Sequence, residues 1–310
     1  MSADDTAGTG DAAVSAAGDH VTVGFIGLGN MGAPMARRLL QWPGGLTVCD
    51  VRPEATVPFA EAGASRAADA AELGAKADVI GVTVVDDAQV RAVITGPRGL
   101  LRTARPGTVI AVHSTISDRT AEQLAAVCAG HQVEFVDAPV SGGAGAAKAG
   151  TLAVMVGGTD HAVARIRQPF GCFSNLIVHA GPVGAGTRMK LARNLLHFVS
   201  FTAATEAQRL AEAAGLDITA LGKVVRHSDA VTGGAGAIML RDTTAAIDPE
   251  DFWFPILGHV RNLGEKDLSL ALELGERLGI PLPLAALALD GLGRGLGVAP
   301  AVEQEIGRTS

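Results

Sequence analysis

Glycines, a serine, a lysine and an asparagine at defined spacings are the residues of this 310-residue chain best suited to chemistry. Val23-Gly24-Phe25-Ile26 runs into Gly27-Leu28-Gly29-Asn30-Met31-Gly32, an apolar strand pattern opening into G-x-G-x-x-G. The first strand, tight turn and first helix of a dinucleotide-binding unit read this way. Gly27 permits the sharp turn, Gly29 lets the backbone approach a pyrophosphate, and Gly32 lets the helix pack close to the strand. Asn30 and Met31 complete the candidate cofactor turn, where the helix N-terminus presents unpaired N–H groups and a positive dipole end. In a chain with 40 glycines short glycine patterns arise by chance, so context decides. Met35, Ala36, Leu39 and Leu40 continue at helical spacing, and Leu46-Thr47-Val48-Cys49-Asp50 reads as a second strand ending in a carboxylate. Asp50 stands 18 residues beyond Gly32, close to where such units place the acid that accepts from the adenosine ribose. That carboxylate would repel a 2′-phosphate and favours NAD, while Arg52 can offset the repulsion and keeps NADP open.

A second cluster is Asp137-Ala138-Pro139-Val140-Ser141-Gly142-Gly143, continued by Gly150 and Thr151. A serine hydroxyl with consecutive glycine N–H groups makes a small anion-binding cradle that suits a carboxylate. The same composition suits a flexible crossover loop. The third is Gly181-Pro182-Val183-Gly184-Ala185-Gly186, followed by Lys190 and Asn194. Residues four apart share a helix face, so these two point the same way. Lys190 is then either a solvated surface charge or, opposite a nicotinamide, a proton donor. The choice matters because the chain has no tyrosine, which excludes oxidoreductase mechanisms built on a catalytic phenol.

Composition narrows the partners. A formal charge of −7 without any basic run argues against nucleic acid and anionic membrane surfaces, and points to a small molecule. No stretch approaches the roughly 20 apolar residues a spanning helix needs. Cys49, Cys128 and Cys172 form neither a disulfide framework nor a metal-ligand cluster, which fits a reducing cytoplasm and no metal site. Residues 1–20, rich in Ala, Gly, Ser, Thr and Asp, read as a disordered tail and not as a secretion signal.

The elements that must position these residues emerge from periodicity. Short apolar runs at 77–85, 107–114 and 133–138 suit buried parallel strands and alternate with helical spacing such as that from Thr120 to Ala129. Leu152-Ala153-Val154-Met155-Val156 and Leu176-Ile177-Val178-His179 are two further strand candidates. From Met189 to Ala214 there is neither proline nor glycine, which predicts one long helix, and the remainder is helical in character up to a Gly279-Ile280-Pro281 break. The expected architecture is α/β, a Rossmann-type doubly wound sheet over 21–185 followed by an all-α C-terminal domain over 186–310, joined by the long helix.

Taken in order, four blocks resemble the β-hydroxyacid dehydrogenase family, which includes 3-hydroxyisobutyrate dehydrogenase, tartronate semialdehyde reductase and, more distantly, 6-phosphogluconate dehydrogenase. They are Phe25 to Gly32, Asp137 to Gly143 with Gly150-Thr151-Leu152, Gly181 to Asn194, and Lys266-Asp267-Leu268. The resemblance implies hydride transfer between NAD(P) and a 3-hydroxy acid. It implies that Ser141, Gly142 and Gly143 hold the substrate carboxylate, that Lys190 is the general acid/base and that Asn194 positions substrate. It also implies that Thr115 lies near the nicotinamide, that Lys266 reaches the cofactor from the helical domain, and that the protein is a homodimer or homotetramer. Val112, Asp118 and Arg193 depart from the family's usual acidic residue, proline and asparagine, and Arg193 shifts the expected substrate toward something larger or more anionic. Imine reductases look similar over the same scaffold but usually lack the lysine. A non-catalytic reader or redox sensor is a further alternative that nothing basic or aromatic in the sequence supports.

Overall fold

The computed structural model describes residues 21–238, 241, 243 and 245–298, so the expected N-terminal tail lies outside the described residues. It divides into two compact units at Ala192/Arg193. In the first, the strands are β1 (Val23–Ile26), β2 (Leu46–Cys49), β3 (Ser65–Arg66), β4 (Val79–Val82), β5 (Val109–Val112), β6 (Glu134–Asp137), β7 (Val140–Ser141), β8 (Leu152–Gly157) and β9 (Ser174–Gly181). Its helices are α1 (Gly32–Leu39), α2 (Val57–Glu61), α3 (Ala70–Gly74), α4 (Asp87–Thr95), α5 (Asp118–Gly130), α6 (Gly143–Ala149) and α7 (Asp160–Phe170). A 29-residue helix, α8 (Ala185–Ala213), begins in this unit and ends in the second, which adds α9 (Ile218–Thr232), α10 (Trp253–Leu278) and α11 (Pro283–Gly295).

Strand order β3-β2-β1-β4-β5-β6 is parallel throughout, the order of a dinucleotide-binding sheet whose crevice opens at the C-terminal ends of β1 and β4. Beyond β6 the expected parallel winding stops: β8 runs antiparallel to β6 and to β7, and β9 runs parallel to β8. The apolar runs are buried on both faces because alternate residues serve different cores. Val109 and Ala111 of β5 pack with Met35 and Leu39 of α1 and with Ile166 and Phe170 of α7. Ile110 and Val112 pack with Leu73 of α3, Val90 and Ile94 of α4, and Leu124 and Cys128 of α5. Such two-sided burial gives continuous apolar strands instead of alternating ones.

The helical unit has a smaller core, Ile247, Leu257, Leu296 and Val298, with Trp253, Phe254 and Leu292 packed against it. Trp253 is therefore a packing residue. Glu206 of α8 is buried and accepts the N–H groups of Leu284 (2.9 Å) and Ala285 (3.1 Å), satisfying two donors at the start of α11. No residue of α9 is buried.

His113, just beyond β5, is an unexpected core residue. Its ring stacks on Phe25 (5.9 Å between centroids) and lies against Phe170 and Phe173, and its Nδ1 is 2.8 Å from the Ala138 carbonyl oxygen. Only a protonated Nδ1 can bond a carbonyl, so Nε2 carries the lone pair, and it is buried without a hydrogen-bond partner among the described residues. Burial holds the ring neutral and pushes its pKa from 6.5 to about 4, against the opposing bond to Ala138. Below pH 6.5 the unfolded chain binds a proton here that the folded chain refuses. This contribution is complete above pH 6.5 and is lost as pH falls toward 4, reaching about 3 kcal/mol. Urea unfolding of the wild type and of His113→Leu between pH 4 and 8 should therefore give curves that converge in slope above pH 6.5, with the wild type falling more steeply below it. Parallel curves would remove His113 as the source.

Candidate active site

The glycine turn is built as its spacing requires. Gly27 adopts φ +91° and donates its N–H to Cys49 O (3.0 Å), and a Cβ there would collide with the Thr83 carbonyl. A Cβ at Gly32 would collide with the Gly27 carbonyl. Gly29 differs, since a Cβ there would meet no protein atom within 4 Å. Its bareness serves no packing need of the protein and leaves the backbone open to an incoming group. Gly27, Gly29, Asp50 and Arg52 line one cavity of about 510 Å³, together with Thr83, whose hydroxyl is buried and without a partner among the described residues. An open backbone at a helix N-terminus, an orphan hydroxyl and a carboxylate at the crevice of a 3-2-1-4-5-6 sheet fit a dinucleotide.

Asp50 has more to do than sequence spacing implies. Its Oδ2 accepts the Leu28 N–H (2.7 Å), tying β2 to the glycine turn, and its Oδ1 accepts the Arg52 N–H (2.9 Å) and guanidinium (3.2 Å). Burial opposes ionisation, but the bonds from Arg52 and Leu28 outweigh it and hold the carboxyl below the usual range. Val51 and Val85, 97% and 81% exposed, also line this cavity. Neither stands out in the sequence. The available signal is an apolar residue just past the C-terminal end of a parallel strand, where the crevice must be.

Thr115 is exposed in the loop after β5. The loop is fastened to the end of β4 by Ser114, whose hydroxyl donates to Val84 O (2.7 Å) and accepts from Val84 N (2.9 Å). Asp118, where the family's proline is usual, pairs with Arg188 of α8 (2.9 Å), and Arg188 also bonds Glu122. That exposed pair accounts for the acidic residue at this position.

The crossover after β6 and the first turns of α8 come together. Asp137, fully buried, accepts the N–H groups of Gly184 (2.7 Å) and Thr187 (2.6 Å). Burial raises its pKa, and these bonds pull the other way. Lys190, one turn beyond Thr187 and 9% exposed, donates from Nζ to the Val140 carbonyl (2.7 Å). The ammonium is thus held at the residue preceding Ser141. Gly142 and Gly143 have φ +130° and +72°, conformations closed to most side chains, and both are exposed, with Ser141 partly so. Asn194 lies one turn past Lys190 on the same helix, and its Oδ1 accepts from Arg193 (3.3 Å). Lys266 is exposed on α10 and pairs with Asp267 (3.0 Å). Asn30 is exposed and Met31 partly buried at the glycine turn. The structure brings Lys190 to the Ser141 segment and groups Gly27, Gly29, Asp50 and Arg52, while Lys266 belongs to the helical unit. Among the described residues no His, Cys, Asp and Glu group could hold a metal, and no helix is long and apolar enough to cross a membrane.

Residues 22–181 match the NAD binding domain of 6-phosphogluconate dehydrogenase, and residues 184–294 the NAD-binding domain of NADP-dependent 3-hydroxyisobutyrate dehydrogenase. An uncharacterized oxidoreductase of Mycobacterium tuberculosis is 62% identical over 276 residues, covering 89% of this chain and 93% of that one. The crystal structure of a protein from Mycobacterium avium 104 superposes with a TM-score of 0.87 at 56% identity, covering 90% of this chain and all of the other. The 3-hydroxyisobutyrate dehydrogenase of M. tuberculosis, solved with L-serine, gives a TM-score of 0.63 at 33% identity over 88% and 93% of the two chains.

The two glycine environments separate fold from binding. Gly29→Val should leave Tm within about 2 °C of wild type while weakening reduced-cofactor binding by roughly tenfold or more. Gly32→Ala should lower Tm by roughly 5–10 °C through overpacking against Gly27. Thermal melts beside fluorescence titration with NADH check both, and a Gly29→Val protein that binds normally would exclude this turn from the cofactor site.

Proposed function

Because the chain belongs to the 3-hydroxyisobutyrate dehydrogenase-like family of NAD(P)-binding oxidoreductases, we propose that it interconverts a small 3-hydroxy acid and the corresponding 3-oxo acid, with Lys190 as general acid/base. The observation that carries this reading is the buried Lys190 ammonium, bonded at 2.7 Å to the carbonyl of Val140, the neighbour of Ser141. A proton donor so held stands within one residue of an anion cradle, as a hydroxyl and a carboxylate on neighbouring carbons require. In oxidation neutral Lys190 takes the hydroxyl proton, and in reduction its ammonium returns that proton to the new alkoxide. The nicotinamide, when bound, supplies the hydride acceptor or donor. Ser141 Oγ and the Gly142 and Gly143 N–H groups hold the substrate carboxylate, and Val140 fixes the direction of Nζ. Asn194 positions substrate from the next turn, Thr115 borders the nicotinamide, and Lys266 contacts the cofactor.

NAD is the favoured cofactor. An ionised, hydrogen-bonded Asp50 at the end of β2 repels a 2′-phosphate, and the Arg52 guanidinium beside it is engaged by that same carboxylate. L-serine, present with the related M. tuberculosis dehydrogenase, is itself a 3-hydroxy acid. Retention of Lys190 sets the chain apart from the imine-reducing alternative. The small-molecule carboxylate is one partner and a second copy of the chain is the other. The exposure of Phe198, Phe201, Val224 and Val231 of the helical unit, 54–76%, supports the second.

Two measurements test the reading. With a panel of 3-hydroxy acids and NAD, Lys190→Met should lose about 10²–10⁴ in kcat while still binding NADH, and wild-type kcat/KM should be higher with NAD than with NADP. Undiminished turnover in the variant would overturn the assignment of Lys190. Arg193, three residues beyond Lys190 on α8, should favour substrates with a second anionic group, so Arg193→Asn should lower kcat/KM for a hydroxy diacid relative to a hydroxy monoacid by roughly tenfold. An unchanged ratio would remove Arg193 from substrate selection.

A further inference from the structure

The buried carboxylate of Asp137 has no part in the proton transfer assigned to Lys190, yet the crossover and α8 are built around it. Its two oxygens receive the N–H groups of Gly184 and Thr187 at 2.7 and 2.6 Å, short bonds of the charge-assisted kind. Room for it is made by two glycines: a Cβ on Gly157 would collide with Asp137 Oδ1, and a Cβ on Gly186 would crowd the Asp137 carbonyl oxygen. The crossover meets α8 a second time where the Val140 carbonyl receives Lys190 Nζ. Both contacts advance by three residues, from Asp137 to Val140 on one segment and from Thr187 to Lys190 on the other. Two paired contacts with matched spacing fix translation and rotation of one segment against the other, which a single contact cannot do. Ser141, the candidate carboxylate donor, comes immediately afterwards on the clamped segment.

We infer that Asp137 is a positioning residue: by holding the first turn of α8 to the crossover, it sets the register of Lys190 Nζ against the Ser141-Gly142-Gly143 cradle. This rests on Lys190 being the acid/base. The neighbouring contacts are backbone bonds that any sequence can make, Ala138 N to Val112 O (2.8 Å) and Met155 N to Pro139 O (3.0 Å), and they fix the crossover to the sheet. Arg188 ties α8 to Asp118 and Glu122 of α5, and the bonds between α8 and the crossover come from Asp137 and Lys190. Asn in its place keeps the shape but offers one acceptor and turns an N–H₂ toward the second donor. Ala offers none.

The test uses the full-length protein with Asp137→Asn, Asp137→Ala and, as a control for lost stability, Ile166→Ala in the core of the same unit. NADH titration gives the folded, cofactor-competent fraction, to which kcat is normalised. A second readout, independent of turnover, is the rate at which an amine-acylating reagent labels Lys190, followed by peptide mass spectrometry. Asp137→Asn should lower kcat by roughly tenfold and Asp137→Ala by roughly a hundredfold, with KM for the cofactor unchanged and Lys190 labelled several times faster. Ile166→Ala should lower Tm while leaving normalised kcat and labelling at wild-type values. If Asp137→Ala does not fold, Asp137→Asn decides alone. Wild-type kcat and labelling in Asp137→Asn would overturn the inference, as would equal effects from Ile166→Ala. Failure of the underlying reading looks different: Lys190→Met would then keep its turnover, while the labelling rates would still report whether Asp137 holds the helix.

Discussion

A carboxylate buried at the end of β6 bonds the backbone of a helix that has not yet begun its first full turn, and the placement of the candidate chemistry depends on it. Ionised Asp137 is costly without water, and burial does push its pKa upward. Two N–H donors and the positive end of a 29-residue helix offset that cost. The N–H groups gain as well, since a helix start buried without acceptors would carry unsatisfied donors. Each side thus solves the other's desolvation problem. The joint is specific because α8 can be shifted along the crossover only by breaking both bonds, each worth about 1.5–3 kcal/mol when one partner is charged.

His113, in the core, and Asp50, in the cavity at the glycine turn, play comparable tying parts. Each binds a backbone group on a different element: His113 reaches Ala138 on the crossover, and Asp50 reaches Leu28 in the glycine turn. The charge states are opposite and both are set by surroundings. The aromatic box around His113 brings no compensating charge, so the ring stays neutral. Asp50 meets two N–H groups and a guanidinium, so its carboxyl stays ionised despite burial. The same kind of tie, a side chain bonding the backbone of another element, thus occurs with a neutral ring at His113 and an ionised carboxyl at Asp50.

The parallel half of the sheet is legible in the sequence because its signal is local and repeated. β1, β4 and β5 are apolar throughout, β2 and β6 are mostly buried around an apolar centre, and Gly27 and Gly32 occupy positions where a side chain would collide. The antiparallel half beyond β6 is less legible. The two-residue strands β3 and β7 lack a period to detect, and the antiparallel direction of β8 depends on one bridge to β6, Asp137 to Gly157, and two to β7, which no propensity encodes. The absence of glycine and proline predicts the long helix from Met189, whereas it starts at Ala185, because glycine at 186 is kept for closeness to Asp137 and not for flexibility. Residue types point to Lys190 and Ser141 separately. Their nearness depends on a main-chain carbonyl, Val140 O, and main-chain acceptors leave no trace in side-chain identity.

The helical unit reads differently from the first among the described residues. Among the described residues its core cluster holds four buried apolar residues, and no residue of the 15-residue helix α9 is buried. Helices of this length are marginal in water unless an apolar face is covered. Yet α9 carries Ile218, Val224, Val225 and Val231 at 41–76% exposure, and α8 carries Leu195, Phe198 and Phe201 at 54–68%. Asp217 supplies an N-cap by accepting the Thr219 N–H (2.8 Å), and Gly233 a left-handed stop at φ +89°, so the sequence specifies the ends of α9 carefully. Among the described residues, α9 therefore combines specified ends with apolar side chains that stay exposed.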